Sequence, residues 1–366
     1  MSTIGIMTYY RAKNYGAVLQ CFALQKVIET LDKQSEVIDY DCYSIRKQYS
    51  YKHFNECRTI MNYIQHNLTC LTRLRKNKKF NEFCLHIPHS SFCNKENISD
   101  ISQKYDVIIS GSDQVFNPVS QMDDSSYFLD FATTKHISTY AASMGSVDQF
   151  LSSKLDTKEL LSRFEYLTFR ENDATEFVRN SYGLEAETVL DPVLLLGRGQ
   201  WLSICTIPKE KGYIFVYNLM NFVELKNFAR ECSEKLKLPI IYVNRNFIGD
   251  NLYRGCGKNA SNLSPTEFLG FLANASLVIT DSFHGTALSI KMHKDFYVRL
   301  NQKQNNTNSR ITNLLTTCGL ADRIISESTN ICDFSLCDRF DDVETKLAPY
   351  VEKSIDILER ICNSAS

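Results

Sequence analysis

The stretch Ser276-Leu-Val-Ile-Thr-Asp-Ser-Phe-His-Gly-Thr-Ala-Leu-Ser-Ile290 predicts a strand, a turn and a helix in immediate succession. Residues 277–280 are apolar and mostly β-branched, which is typical of a short strand buried on both faces of a parallel sheet. Gly285 supplies a permissive backbone where the helix begins. Asp281, Ser282 and His284 therefore lie at the carboxyl end of a strand, where open α/β sheets bind ligands and where helix amides favour an anion.

The bulk composition limits the classes of protein that fit. A length of 366 residues favours two domains over one. Lys and Arg number 41 against 42 Asp and Glu, so no overall basic field favours nucleic acid. The amino terminus lacks the basic and apolar segments of a signal peptide, and no apolar stretch approaches the roughly 20 residues that span a bilayer. We therefore predict a globular, cytoplasmic protein.

The cysteines and histidines do not form a recognisable metal-binding pattern. Thirteen cysteines are scattered singly without a Cys-x-x-Cys pair, which favours reduced, mostly buried thiols. The seven histidines are dispersed and show no zinc-type spacing. The sequence thus predicts no metal site and no cofactor.

The succession of buried strand and polar loop also occurs at the start of the chain. Residues 3–8 predict a strand, and a loop containing Lys13, Asn14 and Gly16 follows before the helical pattern at 18–31. These loop residues either hold a polar ligand over the start of the helix or form a solvated turn. Further strands are predicted at 36–40, 106–110, 136–143 and 166–170.

The loop after residues 106–110 is dense in hydrogen-bonding side chains, namely Ser112, Asp113, Gln114 and Asn117. Carboxylate and amide side chains suit sugar hydroxyls, which act as donor and acceptor at once. This favours a binding role. The alternative is an Asx-type turn closed by Asn117 and Pro118.

Arg170 is a cation at the carboxyl end of another predicted strand. A guanidinium is always charged, and its planar fork fits a carboxylate or phosphate in bidentate fashion. The residue is thus a candidate for binding an anionic ligand. A plain ion pair with Glu171 or Asp173 is the alternative.

Residues 57–83 predict one basic amphipathic helix or a pair of helices. Apolar residues recur there at helical spacing, and five basic residues lie among them: Arg73, Arg75, Lys76, Lys78 and Lys79. Such a segment either rests on an anionic membrane surface or presents an ordinary solvated face.

The pattern restarts after a polar, glycine-bearing connection at residues 197–212. Strands are predicted at 213–217, 240–243, 277–280 and 295–300, and a capping box of Ser264 and Glu267 begins one of the intervening helices. Lys303 and Arg310 border a polar loop that either closes over a ligand or is simply mobile. We predict domains at 1–197 and 212–335, with a terminal helix in 336–366 packed across both.

Five motifs together resemble the polysaccharide pyruvyl transferase family over almost the whole chain. They are Asn14-Tyr15-Gly16, the segment 111–118, Arg170-Glu171, Leu190-Asp191-Pro192 and the segment 281–286. The resemblance implies two Rossmann-like domains facing a cleft, as in GT-B glycosyltransferases, and transfer of pyruvate from phosphoenolpyruvate to a sugar as a ketal. It also implies that His284 is catalytic and that Arg170 helps hold the donor.

The chemistry that the resemblance implies suits these residue types. A His that titrates near neutrality is fitted to protonate the methylene carbon of the enol, after which a sugar hydroxyl attacks the neighbouring carbon. Asp281 either orients the imidazole or caps the turn. Substrate contacts are expected from Arg170, Ser282, Gly285, Thr286, Asn14, Gly16, Ser112, Asp113, Gln114, Asn117, Lys303 and Arg310.

The expected partners are phosphoenolpyruvate and a glycan acceptor, either free or linked to undecaprenyl diphosphate, and no nucleic acid. The segment from Arg73 to Lys79 would supply any contact with the inner face of the membrane. Two rival functions remain open at this point: a GT-B-like glycosyltransferase that uses a nucleotide sugar, and a sugar-binding protein without catalytic activity.

Overall fold

The computed structural model describes residues 3–50, 53–56, 59–244, 257–301, 308–326, 329, 331 and 339–365. Within these ranges the chain is an α/β protein with parallel sheets, which confirms the predicted class. The strands are β1 (Thr3–Met7), β2 (Gln34–Val37), β3 (Val107–Asp113), β4 (Ile137–Ala142), β5 (Thr168–Phe169), β6 (Glu187–Thr188), β7 (Ile214–Asn218), β8 (Ile240–Asn244), β9 (Gly257–Asn259), β10 (Leu277–Thr280) and β11 (Phe296–Val298). The helices are α1 (Tyr15–Thr30), α2 (Tyr43–Tyr49), α3 (Ile60–Thr72), α4 (Leu74–Cys84), α5 (Ile98–Ser102), α6 (Pro118–Gln121), α7 (Val147–Leu151), α8 (Thr157–Ser162), α9 (Asn172–Phe177), α10 (Arg198–Ser203), α11 (Val223–Leu236), α12 (Pro265–Asn274), α13 (Phe283–Lys291), α14 (Ser309–Cys318) and α15 (Phe340–Cys362).

The first sheet has the order β2-β1-β3-β4-β5-β6, and its neighbouring strands run parallel. The strand order reverses between β1 and β3, since β2 lies on the outer side of β1. At such a switch point the loops that follow the two strands diverge and leave a crevice. Asn14 lies in the loop after β1 and Asp113 is the last residue of β3, so the fold brings two predicted site residues to one crevice.

The second sheet has the order β11-β10-β7-β8-β9, again with parallel neighbours. When its strands are numbered 1 to 5 by their order in the chain and the sheet is read from β9 to β11, the arrangement is the 3-2-1-4-5 order of a Rossmann fold. The switch point lies between β7 and β10. The loops after β7 and β10 contain Leu219 and Asp281. The stretch that contains His284 thus begins at the ligand-binding edge of this sheet.

Packing between the two sheets fixes how the two crevices meet. One continuous hydrophobic cluster contains residues of both halves, and separate clusters cover the outer faces of the sheets. The ring of Tyr15, at the start of α1, stacks on Phe268 of α12 with centroids 4.2 Å apart, and its hydroxyl donates to the carbonyl of Leu263 at 2.9 Å. The amino end of α1 is therefore anchored to the second half.

Helix α15 packs against elements of both halves. The backbone N–H of Leu190 donates to Ser354 Oγ at 2.9 Å, and Lys291 forms an ion pair with Glu344 at 3.0 Å. The first sheet ends at residue 188 and the second begins at 214, while the domain boundaries at 197 and 212 stay a prediction. Among the described helices, none is long and apolar enough to cross a membrane.

Candidate functional site

His284 lies in the first turn of α13, at the meeting point of the two halves. Ser282 caps this helix, since its Oγ accepts from the N–H of Gly285 at 3.3 Å. The His284 side chain is only 10% exposed, and its Nε2 lies 3.5 Å from Asp191 Oδ2. The other side of the ring faces Gly16 of α1. Two segments that are remote in sequence therefore fix the imidazole.

Gly16 makes room for the His284 ring. A Cβ atom at position 16 would lie 2.2 Å from His284 Nδ1, far inside van der Waals contact. Asn14 caps α1, with its Oδ1 accepting from the N–H of Gly16 at 2.9 Å. The Asn-Tyr-Gly motif thus holds a bare stretch of backbone against the imidazole, while Asn14 also lines the cleft.

Asp191 is the buried centre of the hydrogen-bonding network around His284. Its Oδ2 accepts from Ser112 Oγ at 3.0 Å and from Arg170 Nη1 at 2.9 Å, and its Oδ1 accepts from the N–H of Val193 at 3.1 Å. Burial alone would raise the pKa of this carboxyl, but His284, Arg170 and the Val193 N–H outweigh it and hold the pKa well below the usual range. Asp191 is therefore a carboxylate that fixes a cation and an imidazole together.

The structure corrects the expectation that Asp281 orients His284. The two oxygens of Asp281 accept from the N–H groups of Leu219 and Met220, both at 2.7 Å. The carboxylate is thereby committed to the loop after β7, because these amides face it across the switch point. Asp191 takes the role of the imidazole's acidic neighbour. Burial raises the pKa of Asp281 to about 6, against the opposing effect of the two amides.

Arg170 is more deeply buried than the sequence suggested. Its side chain is 1% exposed, and Nη2 donates to Asp113 Oδ1 at 3.3 Å in addition to the bond with Asp191. The ring of Phe283 lies 5.1 Å from the guanidinium carbon. Burial would lower the pKa of Arg170, but the surrounding carboxylates raise it. A direct contact with the donor stays a prediction for this residue, which already bridges two aspartates.

The loop after β3 combines cleft-lining and structural residues. Asp113 has a φ of 66°, an uncommon conformation for a residue other than glycine, and both it and Gln114 line the cleft. Asn117 is instead 3% exposed and caps α6, with its Oδ1 accepting from the N–H of Val119 at 3.0 Å. This cap is the turn that the sequence offered as the alternative, and a sugar contact of Asn117 stays a prediction. Ser112 is fully buried and bonds Asp191.

Three further residues of the 281–286 segment support the turn that carries His284. Thr286 is fully buried, and its hydroxyl donates to the carbonyl of Ser282 at 3.0 Å. A Cβ atom on Gly285 would lie 2.5 Å from Thr280 Oγ1, so this glycine allows the helix to approach β10 closely. Their polar groups are thus used within the turn, and the expected substrate contacts of Ser282, Gly285 and Thr286 stay a prediction.

Glu171 and Arg310 complete the charged group beside Arg170. The Nε atoms of Arg170 and Arg310 lie 3.9 and 3.7 Å from the same oxygen of Glu171, and Ser143 Oγ also bonds that oxygen. Burial raises the pKa of Glu171 despite both guanidinium groups. Burial and the nearby Arg170 lower the pKa of Arg310 to about 10. Arg310, at 12% side-chain exposure, is the more accessible of the two arginines.

Four buried polar atoms of this group have no hydrogen-bond partner within the described ranges: Arg170 Nε, Arg310 Nε, Glu171 Oε2 and His284 Nε2. Buried polar atoms in folded proteins are usually satisfied, so four exceptions at one place indicate room for a polar ligand. With two guanidinium groups and an imidazole present, an anion is the ligand that this arrangement fits best.

Two cavities adjoin the charged group. The larger, a cleft of about 540 Å³, is lined by the loops after β1, β3 and β7 and by the end of β8, and includes Asn14, Asp113 and Gln114. The smaller, of about 260 Å³, is lined in part by Arg170 and Arg310. The Arg170–Asp113 bond connects their walls. Lys303, the remaining predicted contact, lies outside the described residues.

Sequence reasoning missed Asp191 and Glu171 as site residues. Asp191 was visible only as part of a Leu-Asp-Pro motif, and Glu171 as a partner for Arg170. Both are at least 98% buried, and a carboxylate that is buried to this degree must be paired or protonated. Within the described ranges, no set of three or more His, Cys, Asp or Glu side chains is arranged to hold a metal ion.

Comparison with known proteins gives a family and a fold. A sequence model of the polysaccharide pyruvyl transferase family matches residues 14–302. No curated relative matches significantly. Among solved structures, S. aureus MnaA with UDP is similar at 10% identity and a TM-score of 0.53, over 97% of this chain and 91% of that one. A UDP-GlcNAc 2-epimerase from Neisseria meningitidis, bound to UDP-GlcNAc, is similar at 10% identity and a TM-score of 0.50, over 99% and 94%. At such identities the likeness concerns the fold alone, and it confirms the GT-B-like arrangement.

Proposed function

The chain belongs to the polysaccharide pyruvyl transferase family, and on this premise we propose that it moves pyruvate from phosphoenolpyruvate onto a sugar of a cell-surface polysaccharide or its lipid-linked precursor. The observation that supports this most is that four buried atoms, on Arg170, Arg310, Glu171 and His284, have no hydrogen bond within the described ranges. A donor that carries both a carboxylate and a phosphate would satisfy the two arginines. His284 Nε2, which lies 3.5 Å from Asp191 and has no hydrogen bond within the described ranges, would then supply the proton.

The proposed reaction conserves protons without an additional reagent. Protonated His284 gives its proton to the methylene carbon of the enol, which becomes a methyl group. A sugar hydroxyl bonds to the adjacent carbon and passes its proton to the now neutral imidazole. A second hydroxyl of the same sugar displaces the phosphate at that carbon and closes the ketal, and inorganic phosphate leaves with the remaining proton.

The buried carboxylate of Asp191 supports this role of the imidazole. It lies 3.5 Å from His284 Nε2 and is ionised, so it stabilises the imidazolium that must be present before proton transfer. Asp191 is also bonded to Arg170. A single side chain therefore sets the distance between the proton donor and one of the anion-binding groups, and we assign Asp191 as a positioning residue.

The experiment that tests this function measures phosphate released from phosphoenolpyruvate in the presence and absence of a glycan acceptor, with NMR detection of a new ketal methyl signal. Release that depends on both substrates supports the proposal. Consumption of a nucleotide sugar with no use of phosphoenolpyruvate would instead identify a glycosyltransferase. Saturable glycan binding without turnover of either donor would identify a sugar-binding protein.

We further propose that the protein works in the cytoplasm and rests on the inner face of the membrane through α3 and α4. Six large apolar side chains of this segment are between 44% and 66% exposed, whereas a helix normally buries its apolar face. Two basic side chains of the same segment, Arg75 and Lys78, are exposed as well. An apolar ridge beside exposed basic side chains fits an anionic lipid surface. The ridge consists of Ile60, Met61, Ile64, Leu68, Leu71 and Leu74.

Vesicle sedimentation tests the membrane contact without reference to activity. The paired substitution Ile64→Glu and Leu68→Glu should abolish binding to vesicles that contain phosphatidylglycerol. The matched control is Leu151→Glu with Ile207→Glu, since these side chains are 57% and 61% exposed but lie outside the ridge. Equal vesicle binding by the two paired variants would contradict the proposal, as would self-association through the ridge in place of vesicle binding.

A further inference from the structure

The 540 Å³ cleft beside the reaction centre has an excess of positive charge. Its lining contains three basic residues, Lys13, Arg73 and Lys76, and one acidic residue, Asp113. Asp113 is already paired with Arg170, and it forms no ion pair with Lys13 or Lys76 in the part of the chain that the structure describes. The cleft is therefore electrostatically suited to an anion, and it is distinct from the group around Arg170 and Arg310.

Lys76 is the most informative of these cations. Its Nζ lies 4.5 Å from the ring of Tyr15 and 5.3 Å from the ring of Phe80, in cation–π geometry. No carboxylate lies within ion-pair distance of it in the part of the chain that the structure describes. Burial and the nearby Arg73 lower the pKa of Lys76 to about 7. The amine is thus held in a place where it lacks a counter-charge, and a bound anion would supply one.

The opposite wall supplies an unused amide. Asn244 ends β8, lines the cleft and is 3% exposed, yet among the residues that the structure describes neither its Oδ1 nor its Nδ2 has a hydrogen-bond partner. A buried amide with donor and acceptor both unsatisfied is costly unless a ligand uses it. Sugar hydroxyls, which donate and accept, match such a group. The cleft thus combines a cationic wall from the first half with an amide from the second.

We propose that this cleft binds a phosphate or diphosphate carried by the acceptor, with the anion at Lys13, Arg73 and Lys76 and the adjoining sugar at Asn244. The inference rests on the proposed function, since it assigns a place to the acceptor of that reaction. The geometry leads from the cleft to the reaction centre: Asn14 and Tyr15 line its wall, and Gly16, the next residue, packs on His284.

The position of the cleft agrees with delivery of the acceptor from a surface. Arg73, Lys76 and Asn77 line the cleft from α4 and the residue that precedes it, while the ridge defined above covers α3 and the start of α4. One helical pair thus contributes both the cationic wall and an exposed apolar face. An acceptor phosphate held by Lys76 would lie next to that pair.

Isothermal titration with inorganic pyrophosphate tests the subsite in the absence of phosphoenolpyruvate. Lys76→Gln and Lys13→Gln should each weaken binding at least tenfold, since a hydrogen bond to a charged group is worth about this factor or more. Lys78→Gln is the matched control, because Lys78 lies two residues from Lys76 and its side chain is 79% exposed. The affinity of this variant for pyrophosphate should stay within twofold of that of the unaltered protein. Melting temperatures of all variants identify any that fail to fold.

Titrations with farnesyl diphosphate and with UDP then distinguish two sources of the diphosphate. Tighter binding of farnesyl diphosphate than of pyrophosphate supports a carrier-linked acceptor, and tighter binding of UDP supports a nucleotide-linked sugar. Pyrophosphate binding that is unchanged in both Lys76→Gln and Lys13→Gln overturns the subsite. Lys76-dependent pyrophosphate binding without any turnover of phosphoenolpyruvate would refute the proposed function and leave the subsite intact, so the two failures are distinguishable.

Discussion

Replacement of Gly16 by alanine is the perturbation that the structure defines most sharply. The new Cβ would lie 2.2 Å from His284 Nδ1, whereas ordinary contacts begin at 3.4 Å, so the ring must move by about 1.2 Å. The backbone itself does not oppose the change, because Gly16 does not have the positive φ that disfavours alanine. The perturbation therefore acts on the imidazole rather than on the helix.

The expected effects on activity and stability differ in size. A displacement of about 1 Å at a catalytic group costs roughly 100-fold in rate. Overpacking destabilises a fold by about 1–3 kcal/mol, but alanine is favoured over glycine within a helix by up to about 1 kcal/mol. Gly16→Ala should thus lower turnover about 100-fold while the free energy of unfolding falls by only about 0–2 kcal/mol.

The assay compares phosphate release and denaturant unfolding for Gly16→Ala and Gly199→Ala. Gly199 lies in helix α10, and a Cβ atom there would meet nothing within 4 Å. The control variant should therefore keep full activity and unchanged or slightly higher stability.

Full turnover by Gly16→Ala would refute the placement of His284 against α1. Equal loss of activity in both variants would show that the effect comes from the helices in general and not from the imidazole.

Three further predictions concern charged residues of the site. His284→Gln should lower turnover by roughly 10² to 10⁴ while the protein still folds, and a fully active variant would remove His284 from the mechanism. Arg170→Lys should weaken phosphoenolpyruvate binding and lower the free energy of unfolding by about 1–3 kcal/mol, because lysine cannot bridge Asp113 and Asp191. An unchanged affinity together with an unchanged free energy of unfolding would contradict this prediction. Asp281→Asn should gain up to roughly 3 kcal/mol of stability relative to the unaltered protein as the pH rises from about 4 to about 6. A difference in the free energy of unfolding that does not change with pH would contradict this prediction.

The sign of the last prediction follows from the direction of the pKa shift. The pKa of Asp281 is raised from 3.8 to about 6 in the folded protein, which therefore binds the proton more tightly than the unfolded chain does. The stability that Asp281 contributes is fully present when the pH is below its pKa in the unfolded chain, and it is lost as the pH rises through its pKa in the folded protein. Asparagine does not titrate, so the variant lacks that loss.

Local features of the site could be predicted because neighbours in sequence create them. The apolar run at 277–280 forms β10, and Ser264 with Glu267 forms the capping box of α12. These features depend on the alternation of apolar residues and on contacts between residues up to four positions apart. The family, too, was visible in short motifs whose order along the chain is fixed.

The partners within the site could not be predicted, because packing of distant segments selects them. His284 meets Gly16 and Asp191 from across the interface between the sheets, and Asp281 turns instead to the loop after β7. For each carboxylate several donors were equally plausible in the sequence. The sequence by itself determined that strands would deliver polar loops to the edges of two sheets. Only the tertiary structure decided which loops face one another, because burial of the shared apolar core sets the relative position of the two sheets. Each buried charged group must then pair with the groups that this packing places next to it.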